Sequence, residues 1–394
     1  MKKVVLSATA LMFATVMMAQ SNESAVNQTG DGNASTVSQI GLDNGSLVDQ
    51  YGNTNTSGVT QNGSDNTSDV DQLGNGNTAT AAQAGVNNDT QIHQGFGASA
   101  GDNDNNTATT TQTGDNNLAH IDQYTGAGGS DGNAATLTQF GDSNYSYALQ
   151  SGDLNIVTVS QEGDSNISDV YQYGDSNIAS SIIEGNGNDV NVDQIGNTNT
   201  AKVNATMNNP SFYADNNDMV VFQQGDLNYV EAFVSGGDNN TMDTNQFGDS
   251  NYHRMHVSGS NNDVILDVDG NQNRGHWSIG DGYPPNADGN DLTVTQNGDG
   301  NYATGKIAGD LNEVIVSQTG GDNRVGTSWY TSDGVIIDGD NNFASITQDG
   351  DMNKASSWTY GNDNTSTTSQ TGLSHVSTIV QTGNSNVAGT TQSN

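Results

Sequence analysis

The chain has no cysteine among its 394 residues, which excludes a disulfide framework and a thiolate metal site. Prolines number three, Pro210, Pro284 and Pro285, too few for a Pro-rich linker. Aromatic residues make up 6% and all hydrophobic residues 31%, where an ordinary globular domain carries roughly 45–50% apolar residues. A thick two-layer core is therefore excluded. Positive charge is scarce as well. Eight Lys and Arg face 45 Asp and Glu, a formal net charge of −37, and none of the cations lies between Gln20 and Ala201. Such a surface repels nucleic acid and anionic membrane, so neither is an expected partner. Only one place carries a long apolar run. Lys2 and Lys3 precede Val4–Met18 and the small residue Ala19, the order of a secretory signal over residues 1–19. That run is short for a bilayer span, no later segment qualifies, and no membrane insertion is expected.

Taken alone, this composition suits a disordered chain, but a phrase returning at a fixed interval overrules that reading. Gln28, Gln39, Gln50, Gln61, Gln72 and Gln83 stand 11 residues apart, and the spacing is met again at Gln150, Gln161, Gln172, Gln194 and Gln381. A glycine follows two residues after: Gly30, Gly41, Gly52, Gly63, Gly74, Gly152, Gly163 and Gly174. An asparagine follows five after: Asn33, Asn44, Asn55, Asn66, Asn77, Asn155, Asn166, Asn177 and Asn386. Self-similarity at a fixed period predicts a stacked, quasi-one-dimensional fold.

Within a unit, Asn33, Ser35, Val37 and Gln39 alternate with outward-reading polar residues, as do Asn166, Ser168, Val170 and Gln172. Period-2 alternation over seven residues is a half-buried strand, and the glycine supplies the turn that follows it. Alternate Gln slots turn apolar downstream, at Ile183, Ala205, Val234 and Val257, so two units with different rules form one rung. The prediction is all-β: a β-solenoid of about 15 two-strand rungs, with 11-residue half-repeats and 22 residues per rung. Its two parallel in-register sheets would stack over roughly 70 Å. Gln and Asn side chains are expected to form amide ladders that reward one register. The domain reading is a signal over 1–19, a short N-terminal segment over 20–27 and one repeat domain over 28–394. Loops are expected to leave the turns at Gly95–Asp104, Tyr124–Gly132, Thr206–Asn216, Asp281–Gly289 and near Ser328–Ile336, with all three prolines in them.

Chemistry-bearing residues follow the repeat instead of clustering. Asp recurs three after Gln, for example at Asp142, Asp153, Asp164 and Asp175, where members 22 apart should lie on successive rungs. The plain reading is good turn chemistry. The six histidines, His93, His120, His253, His256, His276 and His375, form no recognisable ligand spacing. His253 and His256 read as solvent-facing, and His375 fills an Asn slot. Tyr145, Tyr229, Tyr252 and Tyr302 each follow an Asn and should point outward. No catalytic residue, cofactor or metal site is expected, and the chain is not read as an enzyme. Two functions remain: a polymerising structural subunit, or a monomeric acidic β-solenoid adhesin in which the Asp rows take calcium.

The phrase Gln161-x-Gly163-x-x-Asn166, its successor Gln172-x-Gly174-x-x-Asn177, and the cores Asn177-Ile178-Ala179 and Asn199-Thr200-Ala201 resemble the curlin repeat of bacterial curli fimbriae. The resemblance covers essentially Gln28–Asn394. It implies a secreted subunit that polymerises with itself into cross-β amyloid fibres at the cell surface or in a biofilm matrix, with a role in adhesion. It also implies accessory partners: a nucleator subunit and an outer-membrane export pore.

Overall fold

A computed structural model of the protein describes residues 21–96, 103–124, 130–206, 214–280, 287–326 and 334–394. The expected signal over 1–19, the three prolines and most of the five expected loop insertions lie outside the described residues. No helix occurs among the described residues. The described residues form 32 strands, most of them seven residues long and running from just after an Asn to just past the next Gln slot.

The strand Ile167–Tyr173 shows why. Ser168, Val170 and Gln172 point inward and are fully buried, while Ile167, Asp169, Tyr171 and Tyr173 face out. β-Branched and hydroxyl side chains favour this pleated, half-buried setting. The strand ends at Gly174, with φ of 107°, and Ser176, with φ of 59°. Two left-handed residues within the turn fold the next strand, Ile178–Glu184, into the opposite sheet. Sequence reading anticipated only the glycine. The residue before each Asn is a second left-handed position, held by Thr54, Ser165, Leu154, Met352 and others.

Strands alternate between two parallel sheets. The first begins with Glu23–Thr29, the second with Ala34–Leu42. Register is set by identical slots: Gln150 opposes Gln172, Asn-flanking Tyr145 opposes Ile167, and the aliphatic slot pairs Ala148 with Val170. The first sheet has 16 levels. In the second sheet, Arg324–Val325 and Val335–Asp338 divide one level, since both pair with Tyr302–Ala308 and Lys354–Tyr360. The first sheet gains its extra level because Glu23–Thr29 lies largely within the stretch 20–27 that sequence reading set before the repeat. Asn22, Ser24, Val26 and Gln28 follow the same alternation.

Between the sheets lie three kinds of row, one small, one aliphatic and one of amides. The aliphatic row includes Val48, Val70, Ile92, Ile121 and Leu137, all at or near zero exposure. In the second sheet the amide row gives way to Ile183, Ala205, Val234, Val257, Ile279, Ile307 and Ile337, so the second half of the stack is more apolar than the first. One level departs from the size rule. Trp277 is buried in the aliphatic row, and its ring occupies the space that a side chain at Gly305, its register partner, would need.

Candidate functional site: amide ladders and open rungs

The most regular side-chain feature is a chain of amides along the first sheet. Gln28 Nε2 donates to Gln50 Oε1, Gln50 to Gln72 and Gln72 to Gln94, at 2.6–2.9 Å. The series continues through Gln123 to Gln150, Gln172 and Gln194 at 2.8–3.1 Å and ends at Gln392. The second Nε2 hydrogen crosses to the other sheet: Gln50 donates to Ala34 O and Gln172 to Ile156 O. In the second sheet Gln39, Gln61 and Gln83 are linked likewise, and Gln139 donates to Gln161. That ladder stops at Ile183. Gln381 stands apart from it, accepting from Thr359 Oγ1 and donating to Thr365 O.

Asparagines act as clamps on the turns. Asn55 Nδ2 donates to Gly74 O and Asn33 Nδ2 to Gly52 O on the following rung, while Asn33 Oδ1 accepts the backbone N–H of Asn55. Asn77, Asn155, Asn166 and Asn177 repeat the pattern, donating to Asn103 O, Gly174 O, Gly185 O and Gly196 O. The side chains also bond each other, at most levels of one edge, as Asn66 to Asn44 and Asn386 to Asn364, and at some of the other, as Asn199 to Asn177. The Gly30, Gly41, Gly52, Gly63, Gly74, Gly152, Gly163 and Gly174 turns stack directly, each with the carbonyl of the residue beneath where a Cβ would stand.

The Asp rows have a structural occupation. Asp142 N donates to Asp164 Oδ1 and Asp153 N to Asp175 Oδ1, at 2.8 and 2.9 Å. Each carboxylate thus accepts a turn N–H from the rung before it, which offsets repulsion within the row.

One level breaks the first-sheet ladder, because Val268 holds the Gln slot. There His253, reaching across from the second sheet, splices the gap. Gln246 Nε2 donates to His253 Nδ1 and His253 Nε2 donates to Gln296 Oε1, both at 2.8 Å. The direction of the ladder selects this tautomer, since Gln296 Nε2 is already donating to Gln318. His253 is buried, contrary to the solvent-facing reading, because it sits two after Asn251 in the inward small slot. Burial holds its imidazole down at about 4, and Gly275 beneath it leaves room for the ring. Tyr302 is a second correction. Expected outward, it is buried, flanked in register by Arg274 and Arg324.

The two broad outer faces differ in charge. Lys202, Arg254, Arg274, Lys306, Arg324 and Lys354 all lie on strands of the second sheet. The first sheet's strands carry Asp49, Asp71, Asp169, Asp193, Asp243 and Asp267, among others, with no Lys or Arg. On the basic face Arg254 pairs with Glu231 at 2.9 Å, and Tyr229 stacks on Tyr252 with centroids 4.6 Å apart. On the acidic face burial pushes Asp169, Asp189 and Asp263 up, and a carboxylate on the following rung pushes each further.

At both ends the rungs are open among the described residues. Glu23–Thr29 pairs only with Gly45–Tyr51, and Ala34–Leu42 only with Thr56–Ser64. At the other end Val376–Thr382 pairs only with Lys354–Tyr360, and Val387–Ser393 only with Thr365–Leu373. Inward slots that are buried everywhere else are half exposed here, at Val37 and Ser35, and Val26 is 43% exposed. Gln28 at the first described level of the first sheet and Gln392 at the last hold the same ladder slot.

A profile of the Curlin associated repeat matches residues 41–74, 63–95, 104–130, 131–163, 163–196, 287–320 and 339–372, together more than half of the chain. No curated protein matches it.

Proposed function

The chain belongs to the curlin associated repeat family, and on that premise we propose that it is a structural subunit of an extracellular curli-like amyloid fibre. The family is structural and not enzymatic, and self-assembly is what its repeat implies. Subunits add head to tail, the last rung of one templating the first rung of the next. Backbone bonds, the Gln ladder and the Asn clamps continue across the joint with unchanged register. The fibre serves biofilm matrix formation and surface adhesion, with export through an outer-membrane pore after removal of residues 1–19 and with a nucleator subunit to start growth. The observation that carries this reading is the repetition of one slot pattern, with its Gln ladder and Asn clamps, from the first described rungs to the last, so that a rung at one end of the described stack matches a rung at the other in register.

The test is fibre growth by the purified chain started unfolded at neutral pH, with diffraction of the product. A lag, seeding by preformed fibres and reflections near 4.7–4.8 Å and ~10 Å are expected. Replacing Ser35 and Val37 together by Lys puts charge into the inward slots of the first rung and should arrest growth while leaving the interior fold intact. A stable monomer that folds without a lag, above all one that needs calcium, would instead select the acidic adhesin, which the carboxylate-rich first-sheet face favours.

A further inference from the structure

His93 lies on Asp89–Phe96, and His120 and Asp122 lie on the neighbouring strand Leu118–Tyr124. In register Gln91 opposes His120 and His93 opposes Asp122, so three side chains meet on the outer face of the first sheet. His93 Nδ1 and His120 Nε2 each stand 2.9 Å from the same oxygen, Asp122 Oδ1, and 3.4 Å from one another. The three residues are only 20–25% exposed. The other carboxylate oxygen is engaged: Tyr147, on the next strand, donates its hydroxyl to Asp122 Oδ2 at 2.9 Å. Ring packing fixes the imidazoles, His93 edge-on to His120 at 5.2 Å and His120 against Tyr147 at 4.9 Å.

Two imidazole nitrogens and one carboxylate oxygen converge at separations that suit a single ion. Donors bound at about 2.0–2.1 Å stand roughly 2.9–3.4 Å apart at octahedral to tetrahedral angles. We propose that His93, His120 and Asp122 form a binding site for a zinc-class divalent cation, with Tyr147 orienting the carboxylate from behind. Imidazole donors select zinc, copper or nickel over calcium and magnesium, which prefer oxygen alone. The sheet supplies three ligands on one side, leaving the outer coordination positions to water, as in an open site. An outer hydrogen bond to a ligating carboxylate is a recurring part of such sites. Asp69 and Asp71, on the rung before, add negative potential around His93, which draws a cation to this part of the face. Among the described residues this is the one grouping of His and carboxylate whose ligand atoms converge in this way. The inference is independent of whether the chain polymerises.

Folded full chain, stripped of metal at neutral pH, is titrated with Co²⁺ and then with Zn²⁺. The expected result is one saturable equivalent, with a visible cobalt absorbance characteristic of nitrogen ligation that zinc displaces. His93→Ala and His120→Ala should each weaken zinc binding by 10- to 100-fold or more and abolish the band. Tyr147→Phe should cost about 10-fold. His256→Ala, on the other sheet, should change nothing. Should an Ala variant fail to fold, X-ray absorption of the zinc-loaded wild type decides, since two imidazole scatterers are expected. An all-oxygen shell, unaltered affinity in the His variants, or no saturable binding would each overturn the site and leave a hydrogen-bonded His–Asp–His cluster.

Discussion

A single added carbon is enough to disturb the stack. Gly163 has φ of 116°, a region costing an L-residue about 1–3 kcal/mol, and the carbonyl of Gly185 occupies the space a Cβ would take. Gly163→Ala should therefore lower stability by at least ~2 kcal/mol, read as a fall in the denaturant midpoint. An unchanged midpoint would mean that turns do not stack as described. The residue before Asn gives the opposite expectation. Met352 is half exposed with φ of 57°, a left-handed position that Asn tolerates better. Met352→Asn should raise stability by about 0.5–1 kcal/mol.

At the scale of a strand, the splice at His253 makes a linked prediction. His253→Ala leaves the Gln246 amide and the Gln296 carbonyl without their partners, at about 1–3 kcal/mol for each buried group. Val268→Gln alone places a second amide where the imidazole already lies, and overpacks. The double variant His253→Ala with Val268→Gln restores the regular ladder and should recover most of the loss. The same pair reports on pH. An ordinary histidine titrates near 6.5 and this one near 4, so the unfolded chain takes up a proton that the folded one refuses. Stability is full above 6.5 and declines as pH falls toward about 4. By pH 4.5 the wild type should have lost about 2–3 kcal/mol more than the double variant, at about 1.4 kcal/mol per unit. Equal pH profiles would place the protonation elsewhere.

Across the whole molecule, strand parity separates charge. An acidic face and a face holding Lys202, Arg254, Arg274, Lys306, Arg324 and Lys354 lie on opposite sides of one thin stack. Filaments should therefore associate side by side at low salt, acidic face on basic face, and separate near 0.5 M salt, where screening reaches within roughly 4–5 Å. Elongation, driven by backbone pairing and buried rows, should persist. Light scattering together with electron microscopy separates the two, and Arg274→Glu with Arg324→Glu should remove bundling alone. Bundles that survive high salt would point to an apolar contact.

The period alone determined most of this protein. Gln, Gly and Asn at fixed offsets dictated strand, turn and two-unit rung, because a stack can satisfy identical slots only by placing them over one another. The apolar turn of the second amide row was legible too, at Ile183 and Val234. Three features needed the tertiary structure. The Val268 gap is visible in sequence, but that His253 crosses from the other sheet to fill it depends on the distance between sheets. His93, His120 and Asp122 were hidden because 27 and 29 residues, instead of the regular 22, separate side chains that the pairing of two neighbouring strands brings together. Strand parity, finally, sorts the cations onto one face, which a linear count of charge cannot reveal. A repeat specifies what each slot wants, while only the folded stack decides which slots face one another.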